Sequence, residues 1–90
     1  MLKFDVYTKP WCRYSGQAIN MLNRRGLSYN EINVNADPVR ESEMKHRSGR
    51  ETVPQIFLGN VHIGGSDDLW LADKSGMLDK LLDTRRVRGT

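Results

Sequence analysis

The chain has 90 residues, of which 38% are hydrophobic and 28% charged, and its formal net charge is +3. That length suits one compact domain, and the composition excludes both a disordered polyampholyte and a membrane-embedded protein. The excess positive charge lies in the last six residues, which hold three arginines and no acid, so the body of the chain is neutral. We therefore expect neither a nucleic acid nor a membrane as partner.

The first half of the chain predicts a strand, a helix and a second strand. Residues 3–8 alternate apolar and polar side chains and are rich in β-branched and aromatic types, which is typical of a strand. Apolar residues then recur at helical spacing over 13–25, and Gly26 is well placed to stop that helix. Residues 29–34 predict the next strand. A strand, a crossover helix and a strand imply a parallel pair with a right-handed connection.

The middle of the chain predicts another helix and a hairpin. Asp37 can cap a helix over 38–47, with proline at its first position. Residues 55–58 and 61–63 predict two short strands, and Gly59-Asn60 between them suits a two-residue turn. The hairpin implies an antiparallel pair in the same sheet as the parallel one.

The last helical segment begins with acidic residues and is expected to divide in two. Ser66 can cap it, and Asp67 and Asp68 suit the positive end of the helix dipole, while Gly76 divides the segment. The order β-α-β-α-β-β-α predicts an α/β domain with a four-stranded mixed sheet and helices on both faces. We place this domain at residues 1–84 and expect a disordered basic tail at 85–90.

Cys12 is the only cysteine, and it falls at the predicted start of the first helix. Backbone N–H groups and the helix dipole stabilise a thiolate there, and Lys9 and Arg13 add positive charge. The pattern predicts a reactive nucleophile rather than an inert core thiol. A lone cysteine and the absence of an apolar leader at the start of the sequence also predict a reducing, cytoplasmic location.

Three segments resemble the signature segments of glutaredoxins, in the order and spacing of that family. They run from Thr8 to Ser15, from Thr52 to Phe57 and from Ile63 to Leu69. The resemblance covers residues 3–83. It implies a thioredoxin-like fold, a cis bond before the proline of the second segment, and glutathione-dependent thiol-disulfide oxidoreductase activity on glutathionylated proteins.

The resemblance also implies a catalytic Cys12 and a glutathione site. Val53 would pair with the cysteinyl backbone of glutathione, residues 65–68 would receive its γ-glutamyl end, and Lys9 and Arg50 would meet its glycyl carboxylate. The ten residues expected to bind glutathione are Lys9, Tyr14, Arg50, Thr52, Val53, Pro54, Gly65, Ser66, Asp67 and Asp68.

Ser15 departs from the pattern, because many glutaredoxins have a second cysteine at this position. A hydroxyl cannot resolve a mixed disulfide, so the expected cycle is a monothiol one in a monomer. The thiolate takes glutathione from the substrate and a second glutathione regenerates the thiolate. The sequence leaves open whether Ser15 is natural, engineered, or the mark of a cluster-binding subtype.

An alternative function is a homodimer that binds a [2Fe-2S] cluster, in which each subunit supplies Cys12 and two glutathiones complete the sulfur ligands. The family's usual proline after the cysteine is replaced by Arg13, which favours this alternative. The extra loop of the Cys-Gly-Phe-Ser relatives is missing, and the bulky Arg13-Tyr14 replaces their Gly-Phe, which disfavours it.

Four other residues receive no role in the chemistry. His46 and His62 lack metal-ligand spacing and are predicted to be a solvated helix residue and a hairpin residue, so no metal site of protein ligands alone is expected. Trp70 is predicted to be core or half-core. Trp11 suits either an exposed contact for protein substrates or the filling of a local gap.

Overall fold

The computed structural model describes residues 3–86, which contain four strands and four helices joined by loops. In chain order they are β1 (Phe4–Thr8), α1 (Arg13–Arg24), β2 (Tyr29–Asn33), α2 (Pro38–Ser48), β3 (Gln55–Leu58), β4 (Val61–Gly64), α3 (Ser66–Lys74) and α4 (Met77–Arg86). This is the predicted order, and the last helical segment divides at Gly76, which has a φ of 84°.

The strands form one mixed sheet in the order β2-β1-β3-β4. β1 pairs in parallel with β2, whereas β3 is antiparallel to both β1 and β4, as the crossover and the hairpin predicted. β1 and β3 are therefore the central strands. Because the end of β1 leads into the cysteine loop and the start of β3 follows Pro54, this pairing brings the two signature segments together.

Helices cover both faces of the sheet, as predicted. On one face, Phe4, Val6, Ile56 and Leu58 of the central strands pack against apolar residues of α1, α3 and α4. On the other face, a smaller cluster beneath α2 contains Tyr7, Val34, Met44 and Phe57. The alternation of side chains along β1 and β3 divides their residues between these two cores.

The helix ends show where the local predictions were right and where they were wrong. The side chain of Asp37 caps α2 by accepting a hydrogen bond from the backbone N–H of Arg40 at 3.1 Å. Gly26 follows α1 with a φ of 66°, a left-handed conformation that favours glycine. The cap of α3 is Gly65, however, and Ser66 is the first helical residue, so the prediction of a Ser66 cap was wrong.

Trp70 was predicted to be a core or half-core residue, but it is an exposed residue of α3 that belongs to neither hydrophobic core cluster. The apolar residues next to Trp70 in the sequence suggest burial, but the inward positions of α3 are occupied by Leu69 and Ala72. The last helix continues to Arg86, into the segment predicted as a tail, and positions 87–90 lie outside the described residues. Among residues 3–86, no helix has the length and apolarity needed to cross a membrane.

Candidate active site

Cys12 is the N-cap residue of α1, at the point where the loop after β1 turns into the helix. Its side chain is partly exposed, and its Sγ lies 3.9 Å from the carbonyl oxygen of Val53. The Val53-Pro54 peptide bond is cis, as the resemblance implied. The sulfur therefore faces the segment that precedes β3.

Trp11, immediately before the cysteine, is 98% exposed and has a φ of 60°. The indole consequently fills no gap in the core, so the structure excludes that predicted role. A left-handed φ is unusual for a bulky residue, and such backbone conformations are concentrated at functional sites.

The environment of Cys12 favours its charged form. Partial burial raises the pKa of the thiol, but this effect is outweighed by hydrogen bonding from the Ser15 hydroxyl, from the backbone N–H groups of Ser15 and Tyr14, and by the charge of Lys9. The net result is a pKa below the ordinary value. Because the thiolate is the nucleophile, this site raises the reactive fraction of the sulfur at neutral pH.

Ser15 lies buried in the first turn of α1, with 4% of its surface exposed. Its hydroxyl oxygen has no hydrogen-bond partner within residues 3–86 at ordinary hydrogen-bond geometry, although it lies close enough to the sulfur to lower the Cys12 pKa. Because a thiolate is a stronger hydrogen-bond acceptor than a thiol, a hydroxyl donor beside the sulfur favours the charged form.

Replacing Ser15 with alanine should therefore raise the Cys12 pKa while leaving the fold intact. The alkylation rate of Cys12 falls as the pH drops through its pKa, so the midpoint of the rate profile should move to higher pH in Ser15→Ala. Stability should stay the same or rise slightly, because an unsatisfied buried hydroxyl is removed. Iodoacetamide labelling across pH 4 to 10 measures the midpoint, and an unchanged midpoint would contradict this role for Ser15.

A cleft of about 200 Å³ lies beside the sulfur, and we call it the Pro54 cleft. It brings together nine of the ten residues predicted to bind the peptide, together with one that was not predicted. Its lining residues are Tyr14, Arg50, Thr52, Val53, Pro54, Gln55, Gly65, Ser66, Asp67 and Asp68. Three segments far apart in the sequence therefore form one concave surface next to the thiolate.

Asp68 organises the floor of the Pro54 cleft. Its Oδ2 accepts hydrogen bonds from the backbone N–H of Gly65 at 2.9 Å and from the Arg50 guanidinium at 3.1 Å. These two donors, in that order, lower the pKa of Asp68 despite partial burial. Because the pKa is lowered in the folded state, the resulting stabilisation is present at neutral pH and is lost as the pH falls through that pKa.

Gly64 lies so close to Asp68 that no larger residue fits there. A Cβ at position 64 would lie 2.3 Å from Oδ2 and 2.8 Å from Cβ of Asp68, and the φ of Gly64 is 123°. Rotation of the carboxylate alone cannot relieve a contact with Cβ. Glycine at position 64 is therefore required for the close packing of β4 against the start of α3.

Lys9 is the one residue predicted to bind glutathione that does not line the Pro54 cleft. It lies with Cys12 and Trp11 on a second cleft of about 250 Å³, which we call the Trp11 cleft, and its ammonium pairs with Glu41 at 3.5 Å. Ser15 also lines the Trp11 cleft. The sulfur thus stands between two separate concave surfaces.

Two glutamines at the site were missed by the sequence reasoning. Gln55 lines the Pro54 cleft and is 1% exposed, and Gln17 of α1 accepts a hydrogen bond from the Ser66 hydroxyl at 3.3 Å. The signal in the sequence that could have indicated a role is a polar glutamine at the start of an otherwise apolar strand. Within residues 3–86, no three His, Cys, Asp or Glu side chains cluster as metal ligands.

Comparisons of sequence and structure with known proteins match one family. A sequence model of the family described as Glutaredoxin matches residues 5–63. Glutaredoxin 3 of Escherichia coli strain K12 is 44% identical over 82 residues, which cover 91% of this chain and 99% of that protein. The solution structure of a glutaredoxin from Brucella melitensis is 48% identical, with a TM-score of 0.78, covering 91% of this chain and 89% of that one.

A more distant structure supports the architecture. The crystal structure of a buckwheat glutaredoxin-glutathione complex is 24% identical and superposes with a TM-score of 0.81, covering 92% of this chain and 78% of that one. At that identity the similarity concerns the fold, which is thioredoxin-like. Together with the family match and the reactive cysteine, these similarities show that the chain belongs to the glutaredoxin family of thiol-disulfide oxidoreductases.

Proposed function

We propose that this chain reduces protein-glutathione mixed disulfides by a glutathione-dependent monothiol cycle through Cys12. One observation carries the proposal: a single cysteine with a lowered pKa faces the Val53 carbonyl at 3.9 Å, beside a cleft lined with groups that suit an anionic tripeptide. The buckwheat relative, whose structure contains glutathione, supports this ligand for the family's shared fold.

The Pro54 cleft offers complementary groups to each part of glutathione. The backbone of Val53 would pair with the cysteinyl residue in a strand-like manner. Backbone N–H groups at the start of α3 suit the γ-glutamyl carboxylate, and the exposed carboxylate of Asp67 suits its ammonium group. Arg50 would meet the glycyl carboxylate, and Lys9 could join it there by exchanging its Glu41 partner.

The cycle then needs two exchange steps. The Cys12 thiolate attacks the glutathione sulfur of the substrate disulfide, so that a Cys12-glutathione disulfide forms and the substrate leaves as a thiolate. The thiolate of a second glutathione attacks the bound glutathione sulfur, which releases oxidised glutathione and restores the Cys12 thiolate. Because the cycle consumes reduced glutathione, we propose a reducing compartment, the cytoplasm, as its location.

The purified protein, glutathione and a glutathionylated peptide provide the test. Initial rates should follow ping-pong kinetics, and mass spectrometry should detect Cys12 carrying one glutathione. The matched control is the same peptide linked through its cysteine to a second peptide instead of glutathione, which should react at least about tenfold more slowly because the Pro54 cleft holds no glutathione. Equal rates on the two substrates would contradict the proposal.

Cluster binding is a second candidate, favoured by Arg13 in place of the proline that usually follows the cysteine. In that state Cys12 would be the protein ligand of one subunit, and its thiolate character and partial exposure fit an iron ligand. Anaerobic reconstitution with iron, sulfide and glutathione should then give a coloured dimer by visible absorption and size-exclusion chromatography. A colourless monomer would exclude this candidate.

A further inference from the structure

We propose that His62, acting through Gln55, is a positioning residue that holds the segment from Thr52 to Pro54 in the shape that glutathione binding requires. The inference rests on the proposed function and extends it to a residue that lies outside the Pro54 cleft. Its basis is a continuous set of hydrogen bonds from β4 to the loop before β3, which we call the His62 relay.

The relay has a defined direction. The amide nitrogen of Gln55 donates to the backbone oxygen of Thr52 at 3.0 Å and lies 3.3 Å from its hydroxyl oxygen. The amide oxygen of Gln55 lies 2.8 Å from Nε2 of His62. Since the nitrogen of the amide already donates to Thr52, its oxygen is the acceptor, and Nε2 of His62 carries the proton.

The imidazole ring is itself held in place. It stacks on Phe57 with a centroid distance of 4.7 Å and an interplanar angle of 27°. An irregularity in the pairing of β3 with β4 sets Phe57 opposite His62 but Ile56 opposite Gly64, so β4 holds one extra residue there. Bulges of this kind redirect side chains near functional sites. Here the bulge lets β4 place His62 against Phe57 while the chain continues through Gly64 to Gly65, which lines the Pro54 cleft.

Burial and the surrounding charges keep the His62 imidazole neutral at neutral pH. Burial lowers its pKa, the cations Arg50 and Arg47 lower it further, and Asp68 opposes them. At neutral pH the ring is thus the Nε2–H tautomer. The imidazolium form also donates from Nε2, so titration leaves the relay intact and substitutions are the informative probe.

The relay acts on Thr52, whereas Asp68 holds Arg50 in the same loop between α2 and β3. At its start, the Ser48 hydroxyl oxygen accepts a hydrogen bond from the backbone N–H of Arg50 at 3.0 Å. At its end, Gln55 holds the Thr52 carbonyl, and Thr52 itself is exposed. Val53 follows directly and supplies the backbone groups proposed to pair with glutathione. Without the hydrogen bond from Gln55 to Thr52, this segment would become ordered only when glutathione binds, which should lower the affinity for glutathione.

The test compares His62→Phe, which keeps an aromatic ring against Phe57 but removes the donor, with His46→Phe on the exposed surface of α2. In His62→Phe, KM for a glutathionylated peptide should rise about three- to tenfold, with kcat within about twofold of the wild type. The Cys12 pKa should not change. His46→Phe should leave all three quantities unaltered, and an unchanged KM in His62→Phe would overturn the proposal.

Backbone order parameters provide a readout that is independent of turnover. The order parameters of the Thr52 and Val53 amides, measured by NMR relaxation, should fall in His62→Phe, whereas those of β1 should stay unchanged. Unchanged order parameters at Thr52 and Val53 would contradict the relay, as would a fall throughout the sheet. If the wild-type chain fails to reduce glutathionylated peptides, the proposed function fails, and the relaxation measurement still decides on the relay.

A second substitution separates the relay from general loss of stability. Gln55→Met removes the hydrogen bonds at nearly constant side-chain volume and should raise KM at least as much as His62→Phe. In the double variant, His62→Phe should add less than about 1.5-fold to the effect of Gln55→Met, because both changes break the same connection. Effects that multiply instead would show two independent roles and refute the coupling.

Discussion

The Cys12→Ser variant should lose at least about a thousandfold in kcat/KM for a glutathionylated peptide. The attacking group is the thiolate, and the structure lowers its pKa so that it exists near neutral pH. A serine hydroxyl stays protonated under the same conditions, and among residues 3–86 Cys12 is the only thiol. The measurement is the glutathione-coupled initial rate at pH 7.

Stability provides the control for this variant. Cys12 is the N-cap of α1 but makes no side-chain capping hydrogen bond, whereas serine is among the preferred N-cap residues. Cys12→Ser should therefore be as stable as the wild type, or more stable by about 0.5–1 kcal/mol. A folded variant that keeps more than about one per cent of the activity would exclude Cys12 as the nucleophile.

Gly64→Ala should be among the most damaging small substitutions in the domain. The new methyl group would lie within 2.3–2.8 Å of three atoms of Asp68, at a φ of 123° that side chains rarely adopt. Strain and the displaced carboxylate together should cost about 2–3 kcal/mol in the free energy of unfolding. For a domain of this size, that lowers Tm by at least about 8 °C.

Gly16→Ala is the matched control for the stability measurement. Gly16 lies within α1, and a Cβ built there meets nothing within 4 Å. Alanine at this position should stabilise the helix by up to about 1 kcal/mol, because glycine is a poor helix former. If both alanine variants change Tm in the same direction and by similar amounts, the contact between Gly64 and Asp68 is not the cause. The KM of Gly64→Ala should also rise, since Asp68 holds the start of α3.

The fold could be predicted largely from the sequence because its signals are local. Alternation, helical spacing and stop residues such as Gly26 and Gly76 indicate where elements begin and end. The cap of α3 was misplaced by one residue because Ser66 is a good N-cap type by propensity, whereas in the structure Gly65 holds the cap position in an extended conformation. Trp70 was misjudged because residue type alone does not say which face of α3 a side chain occupies.

The site was harder to predict, since its geometry depends on contacts between distant segments. Nine of the residues that the resemblance named line the Pro54 cleft, whereas Lys9 pairs with Glu41 and does not line it. Gln55 stands out only as the polar residue of an apolar strand, and His62 has no local pattern that indicates a role, because their contact arises only when β3 and β4 pair with a bulge.

The central pairing of β1 with β3 has a consequence for how the reactive site arises. Cys12 and Val53 lie 41 positions apart in the chain, yet their atoms meet because these two strands are neighbours. A partly folded chain that has formed only β1, α1 and β2 would already present a thiol at a helix start, but without the wall of the cleft that selects its partner. The position of the thiol at a helix start thus depends on a local segment, whereas its contact with the Val53 carbonyl depends on the pairing of β1 with β3.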